Sequence, residues 1–122
     1  MEREILELAE KLRNVEGILA VYLFGSYADG KVHDGSDIDI CVIGRLGRKD
    51  KERILCIVES DKYDLSFFSD LPIWIKIRVF RGRLLFARNK ERVYEIYFRT
   101  LREYLDFKPA IKRLCEETLC TT

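Results

Sequence analysis

Apolar residues recur along this chain with two different periods, and each change of period marks a new element. Ile5, Leu8, Ala9 and Leu12 fall at helical spacing, which predicts an amphipathic helix from Glu2 to Val15 that breaks near Asn14 and Gly17. The run Ile18 to Phe24 (ILAVYLF) reads as a buried strand. Ile38, Ile40 and Val42 then alternate with Asp37, Asp39 and Cys41, so a strand here turns its branched residues to one side and both acids to the other. Gly44 to Gly47 forms a basic turn. Asp50 to Ser60, carrying Ile54, Leu55, Ile57 and Val58, is predicted as a second helix crossing over to a strand at Lys62 to Phe68. In that strand Asp64 shares a side with Ser66 and Phe68, opposite Tyr63, Leu65 and Phe67.

The C-terminal half gives a more divided pattern. Ile73, Ile75, Ile77 and Val79 alternate with Trp74, Lys76, Arg78 and Phe80, and the local pattern favours a strand with a hairpin at Arg81-Gly82. That hairpin would close onto a further strand at Arg83 to Ala87. Lys90 to Phe107 is a long helix with Val93, Ile96, Tyr97, Leu101, Tyr104 and Leu105 on one stripe. Pro109 is expected to kink or end it before Ala110 to Leu119. The aromatic residues Tyr94, Tyr97, Phe98, Tyr104 and Phe107 are read as core packing in preference to a partner surface.

Composition narrows the class. A chain of 122 residues suffices for one domain with a real core. Lys plus Arg number 22 against 21 for Asp plus Glu, a net charge of +1, which argues against a broad nucleic-acid surface. Cys41, Cys56, Cys115 and Cys120 show neither CxxC pairing nor metal-ligand spacing, and read as reduced thiols of a cytoplasmic protein. No apolar run reaches the ~18 residues of a membrane span, and the N-terminus is not signal-like.

The chemistry concentrates in Phe24-Gly25-Ser26 and Gly35-Ser36-Asp37-Ile38-Asp39. Residues two apart on a strand are separated by roughly 6.5 Å, so Asp37 and Asp39 can lean onto one or two hard cations. Mg²⁺ takes oxygen ligands and is often held by one or two carboxylates plus substrate phosphates. A lone Asp-x-Asp is more often a solvated strand face. The strand ending in Gly25-Ser26 reverses that preference, because glycine permits a turn and close backbone approach, and the amides that follow can face phosphate. His33, the single histidine, reads as a surface residue.

This arrangement resembles the nucleotidyltransferase superfamily that includes DNA polymerase beta, and within it the small stand-alone minimal nucleotidyltransferases. The resemblance covers Ile18 to Asp70 firmly and Leu71 to Leu119 more loosely. It implies an α+β fold, a mixed β-sheet with helices packed on one face and the other face open for substrate, in a single domain over residues 1–122 with C-terminal helices at about 90–119, and it favours, against the local strand pattern, a short helix starting at Pro72 and followed by a strand at Arg83 to Ala87. It further implies that Gly25, Ser26 and Ser36 bind the nucleotide and that Asp37, Asp39 and a third carboxylate, for which Asp64 is chosen over Asp61 and Asp70, hold two Mg²⁺ ions and carry catalysis. One departure is that the arginines frequent after the family's Gly-Ser turn are replaced here by Tyr27 and Asp29, with Lys31 the nearest cation.

The implied reaction is transfer of AMP from ATP to a hydroxyl with release of pyrophosphate. So short a chain has little room for an acceptor domain. Minimal nucleotidyltransferases of this kind are similar to the antitoxins of two-gene modules whose toxins are helical HEPN-family proteins, and the segment Arg102 to Pro109 (REYLDFKP) strengthens that placement. The expected acceptor is therefore a tyrosine of a HEPN-type toxin. The alternatives are transfer to a small molecule or RNA end, and a non-catalytic antitoxin that neutralises its partner by docking.

Overall fold

The computed structural model describes residues 2–25, 38–59 and 62–120, with backbone alone for 110, 111, 115 and 117–120. Four helices, α1 (Glu2–Arg13), α2 (Arg48–Ile57), α3 (Ile73–Val79) and α4 (Lys90–Cys120), and four strands, β1 (Ile18–Phe24), β2 (Ile38–Gly44), β3 (Tyr63–Phe67) and β4 (Arg83–Ala87), make up these residues, with a 3₁₀ turn at Phe68–Asp70. The strands form one sheet in the order β3-β2-β1-β4. β1 runs antiparallel to both β2 and β4, whereas β2 and β3 are parallel and joined through α2. The sheet is therefore mixed and the class α+β, as expected.

Alternation along the central strands creates two separate cores. Ile38, Ile40 and Val42 of β2 and Ile18, Val21 and Leu23 of β1 face α1 and α2, meeting Ile5, Leu8, Leu12 and Ile54. Ala20, Tyr22, Cys41 and Ile43 face the other way and pack with Phe68, Val79 and Val93. The helices thus extend beyond the one face that the resemblance implied. α3 and α4 cover part of the second face because β1 and β2 are apolar on both sides, and each fully buried aliphatic side chain is worth about 1.5–3 kcal/mol. Phe80 is the hub of this second core. Its ring meets Tyr22 at 5.4 Å, Phe68 at 5.5 Å and Tyr97 at 5.2 Å, all edge-on.

The divided signal at residues 73–79 resolves as helix. The Pro72 carbonyl accepts from the amides of Ile75 and Lys76, each at 3.0 Å, which starts α3 one residue after the proline. Tertiary packing overrides the strand-like alternation here: the helix buries Ile77 and Val79 and delivers Phe80 to the aromatic cluster.

α4 departs from expectation in two ways. It does not end at Pro109 but continues to Cys120. The lost amide leaves the Leu105 carbonyl without its intrahelical donor, and Leu105, 55% exposed, lies where water can replace it. The aromatic residues also divide. Tyr97 packs inward and Phe107 stacks on Trp74 at 5.7 Å, whereas Tyr94 and Phe98 stand exposed, so core packing does not hold for those two.

Arg88 closes the body. Placed just after β4, its Nε donates to the Ile18 carbonyl at 3.0 Å, and its Nη2 donates to the carbonyls of Arg13 at 2.7 Å and Val15 at 3.2 Å. These acceptors lie at the end of α1 and the entry to β1, where the last helical carbonyls have no intrahelical donor. Replacing the guanidinium removes one donor from each of the three carbonyls, of which Val15 keeps the Ile18 amide at 3.1 Å. Arg88→Ala is expected to lower stability by about 2 kcal/mol, read from the urea unfolding midpoint. Arg88→Lys should recover less than half of that, since an ammonium lacks the planar fork.

Candidate active site

The parallel pairing of β2 with β3 decides where the acids lie. The Ile38 amide donates to the Lys62 carbonyl at 2.8 Å, and the register then sets Asp39 beside Asp64 and Cys41 beside Ser66. Adjacent strands are about 4.8 Å apart, and residues level with one another point to the same face. Asp39 and Asp64 therefore stand side by side on the face opposite α1 and α2. Asp39 is half-buried and Asp64 exposed. The parity argument from the sequence placed Asp64 on this side.

Gly25 completes the described part of the site. β1 pairs Phe24 with Asp39, so the residue after the strand arrives against the Asp39 side chain. Gly25 has φ +78°, a conformation that side chains of L-residues rarely adopt. A Cβ built on it would overlap the Asp39 Oδ2 oxygen. The sequence suggested that this glycine gives a ligand room to approach; in the structure the group already given room is the Asp39 carboxylate. The local signal for that role is the strand-Gly-Ser junction itself.

Ser26, Ser36 and Asp37, together with Tyr27, Asp29, Lys31 and His33, lie outside the described residues, as does Asp61. Asp70 ends the 3₁₀ turn, 3.9 Å from the Lys51 ammonium, the turn position expected of it. The structure thus brings together Gly25, Asp39 and Asp64 out of the six residues singled out.

Two buried groups border this face. Cys41 is fully buried between Tyr22 and Ser66, and burial pushes its thiol up to about 12. Tyr22 is raised from its ordinary value of 10.0, by burial first and by Tyr94 second. Both stay protonated at neutral pH. Cys56, in contrast, is exposed on α2.

The donor set suits a hard divalent cation: two carboxylates from neighbouring strands, beside backbone with no side chain in the way. Among the described residues no three His, Cys, Asp or Glu gather into a complete cage.

Residues 6–91 match the family described as Polymerase beta, Nucleotidyltransferase. The chain belongs to that nucleotidyltransferase family. A protein of Methanocaldococcus jannaschii whose name provisionally gives it protein adenylyltransferase activity is 27% identical over 97 residues, spanning 78% of this chain and 76% of the relative. Among solved structures, a toxin-antitoxin with AMP-PNP gives a TM-score of 0.73 at 22% identity, covering 97% of this chain and 98% of the matched one. A complex of the tri-AMPylated Shewanella oneidensis HEPN toxin with its MNT antitoxin gives 0.71 at 19% identity, covering 98% and 99%. These likenesses establish a shared fold.

Two outcomes follow from the local geometry. Gly25→Ala should lower stability by about 1 kcal/mol or more in chemical denaturation, from the positive φ and the overlap with Asp39 together. Iodoacetamide at pH 8, followed by peptide mass spectrometry, should label Cys56 and leave Cys41 unmodified until the protein is unfolded.

Proposed function

We propose that this protein is a Mg²⁺-dependent nucleotidyltransferase that moves AMP from ATP to a tyrosine hydroxyl of a HEPN-type toxin, and so acts as an antitoxin by protein adenylylation. The observation that carries the reading is the placement of Asp39 and Asp64 on adjacent strands, against a glycine whose missing side chain makes space for one of them. Family membership supports nucleotidyl transfer. The Methanocaldococcus relative supports a protein as acceptor, and the fold shared with MNT antitoxins and with a complex containing AMP-PNP supports the partner and the ATP-type donor.

In this reading Asp37, Asp39 and Asp64 hold the metal, and Gly25, Ser26 and Ser36 receive the triphosphate. Bound Mg²⁺ supplies positive charge against the phosphates and the departing pyrophosphate. The acceptor oxygen forms a bond to the α-phosphorus while the α–β anhydride bond breaks, and pyrophosphate carries that electron pair away. Asp64, the exposed member of the pair, takes the hydroxyl proton. The whole chain serves as one catalytic domain and borrows its acceptor from the partner. It works in the cytoplasm, where reduced thiols such as Cys41 and Cys56 persist. Among the described residues no helix is long and apolar enough to cross a membrane.

The test is incubation with α-labelled ATP, Mg²⁺ and a HEPN-type partner, followed by mass spectrometry of the products. An AMP adduct on a partner tyrosine is expected. Changing a group that merely supports a metal ligand already costs about 10–100-fold, so Asp39→Asn and Asp64→Asn should each lower the rate by roughly 100-fold or more. Labelled nucleotide or RNA products with no protein adduct would sink the protein-acceptor reading. Full suppression of the toxin by the double variant would favour docking without catalysis.

A further inference from the structure

At the far end of the sheet face that carries Asp39 lies a cleft of about 500 Å³. Ile43, which lines it, is four residues along β2 from Asp39 on the same side of the strand, roughly 13 Å away at about 3.3 Å per residue. The aromatic cluster around Phe80 stands over the intervening Tyr22 and Cys41. The cleft is therefore separate from the carboxylate site.

Its charge is strongly one-sided. Arg45, Lys76, Arg88, Arg92 and Arg99 line it, against the carboxylates of Glu16 and Glu95. The chain as a whole carries a net charge of only +1, so the local excess is a concentration of cations and not a reflection of composition. Arg88 is committed to backbone carbonyls, and Lys76 lies over the Phe68 ring at 5.1 Å. Arg45, Arg92 and Arg99 make no ion pair within 4 Å among the described residues. Glu95 stands three residues from Arg92 and four from Arg99, spacings at which helical pairs commonly form, yet it pairs with neither. Among the described residues, three guanidinium groups from two segments thus line one concavity without forming an ion pair, although Glu16 and Glu95 line it as well.

We propose that this cleft is a second anion site, which takes a ligand bearing two or more linked phosphate groups. Its volume lies within the roughly 300–1,000 Å³ typical of small-molecule sites. Guanidinium forks match phosphate oxygens bidentately. A single phosphate satisfies one such fork, whereas cations spread over the β2–α2 turn, α3 and α4 match a longer anion. Free nucleotides and bare polyphosphate share this chemistry.

The experiment uses the full chain carrying Asp39→Asn and Asp64→Asn, in EDTA, so that metal-dependent binding at the carboxylates is removed. Inorganic tripolyphosphate and ADP are titrated separately by calorimetry and by amide chemical shifts. Binding of tripolyphosphate, with shifts at Ile43, Gly44 and Ile96, is expected, and Arg92→Gln/Arg99→Gln should weaken it by roughly tenfold or more. Arg53→Gln, exposed on α2, should leave it unchanged. ADP binding as well would identify a nucleotide as the natural ligand, and tripolyphosphate alone a bare polyphosphate. No binding of either probe, shifts confined to Gly25 and Ile40 beside the carboxylate site, or affinity unchanged in the double arginine variant would overturn the proposal. Arg45→Gln, on an exposed turn, carries the same test should the double variant fold poorly.

Discussion

The register between β2 and β3 is the constraint on which the rest of this molecule depends. β2 has branched residues on one side and acids on the other, and β3 alternates in the same sense. Because the side-chain period of a strand is two, a slip of one residue would turn Asp64 into the core and Tyr63 and Leu65 out of it. Burial of Ile38, Ile40 and Val42 against α1 and α2 therefore fixes the register, and the register in turn fixes the juxtaposition of the carboxylates. The pairing of the carboxylates is here a by-product of packing on the opposite side of the sheet.

The second face divides the labour differently. Its middle is sealed by Phe80, Tyr97 and Phe68 over Tyr22 and Cys41, a dry aromatic layer. On either side the same face turns polar, with Asp39 and Asp64 towards one end and a cluster of arginines at the other. Opposite charges at the two ends of one sheet face, parted by rings, give the protein a strongly polarised surface despite its near-neutral sum.

Much of this was readable from the chain because the decisive signals are local. Period-two alternation in Ile38 to Val42 and Tyr63 to Phe67 placed Asp39 and Asp64 on one side, whereas the strand-like run at residues 73–79 pointed away from α3 and only the family resemblance favoured a helix there. What stayed hidden depends on distant contacts. The helical cover of the second face follows from Ala20, Tyr22 and Cys41 being apolar on the side assigned to substrate, which shows only once α3 and α4 are docked. Tyr94 and Phe98 sit on a helix whose orientation about its own axis is set by Val93 and Ile96, so their exposure could not be read from aromatic content. Pro109 obeys a local rule that an exposed helix can evade. The arginine cleft gathers residues from six separate stretches of the chain, and only the spacing of Arg92 and Arg99 on α4 hints at it.

The reach of Arg88 has a consequence for the order of events during synthesis. Its bonds to Arg13, Val15 and Ile18 span 70 to 75 positions of the chain and come at the close of the last strand. Once residue 88 has cleared the ribosome, every described strand of the sheet is available and the clasp that ties the end of β4 to the junction of α1 and β1 can shut. α4 is still to be made at that moment, and it then settles onto a sheet face already assembled. The protein is thus arranged for growth from its N-terminus: a self-fastening body first, and a long helix laid across it afterwards.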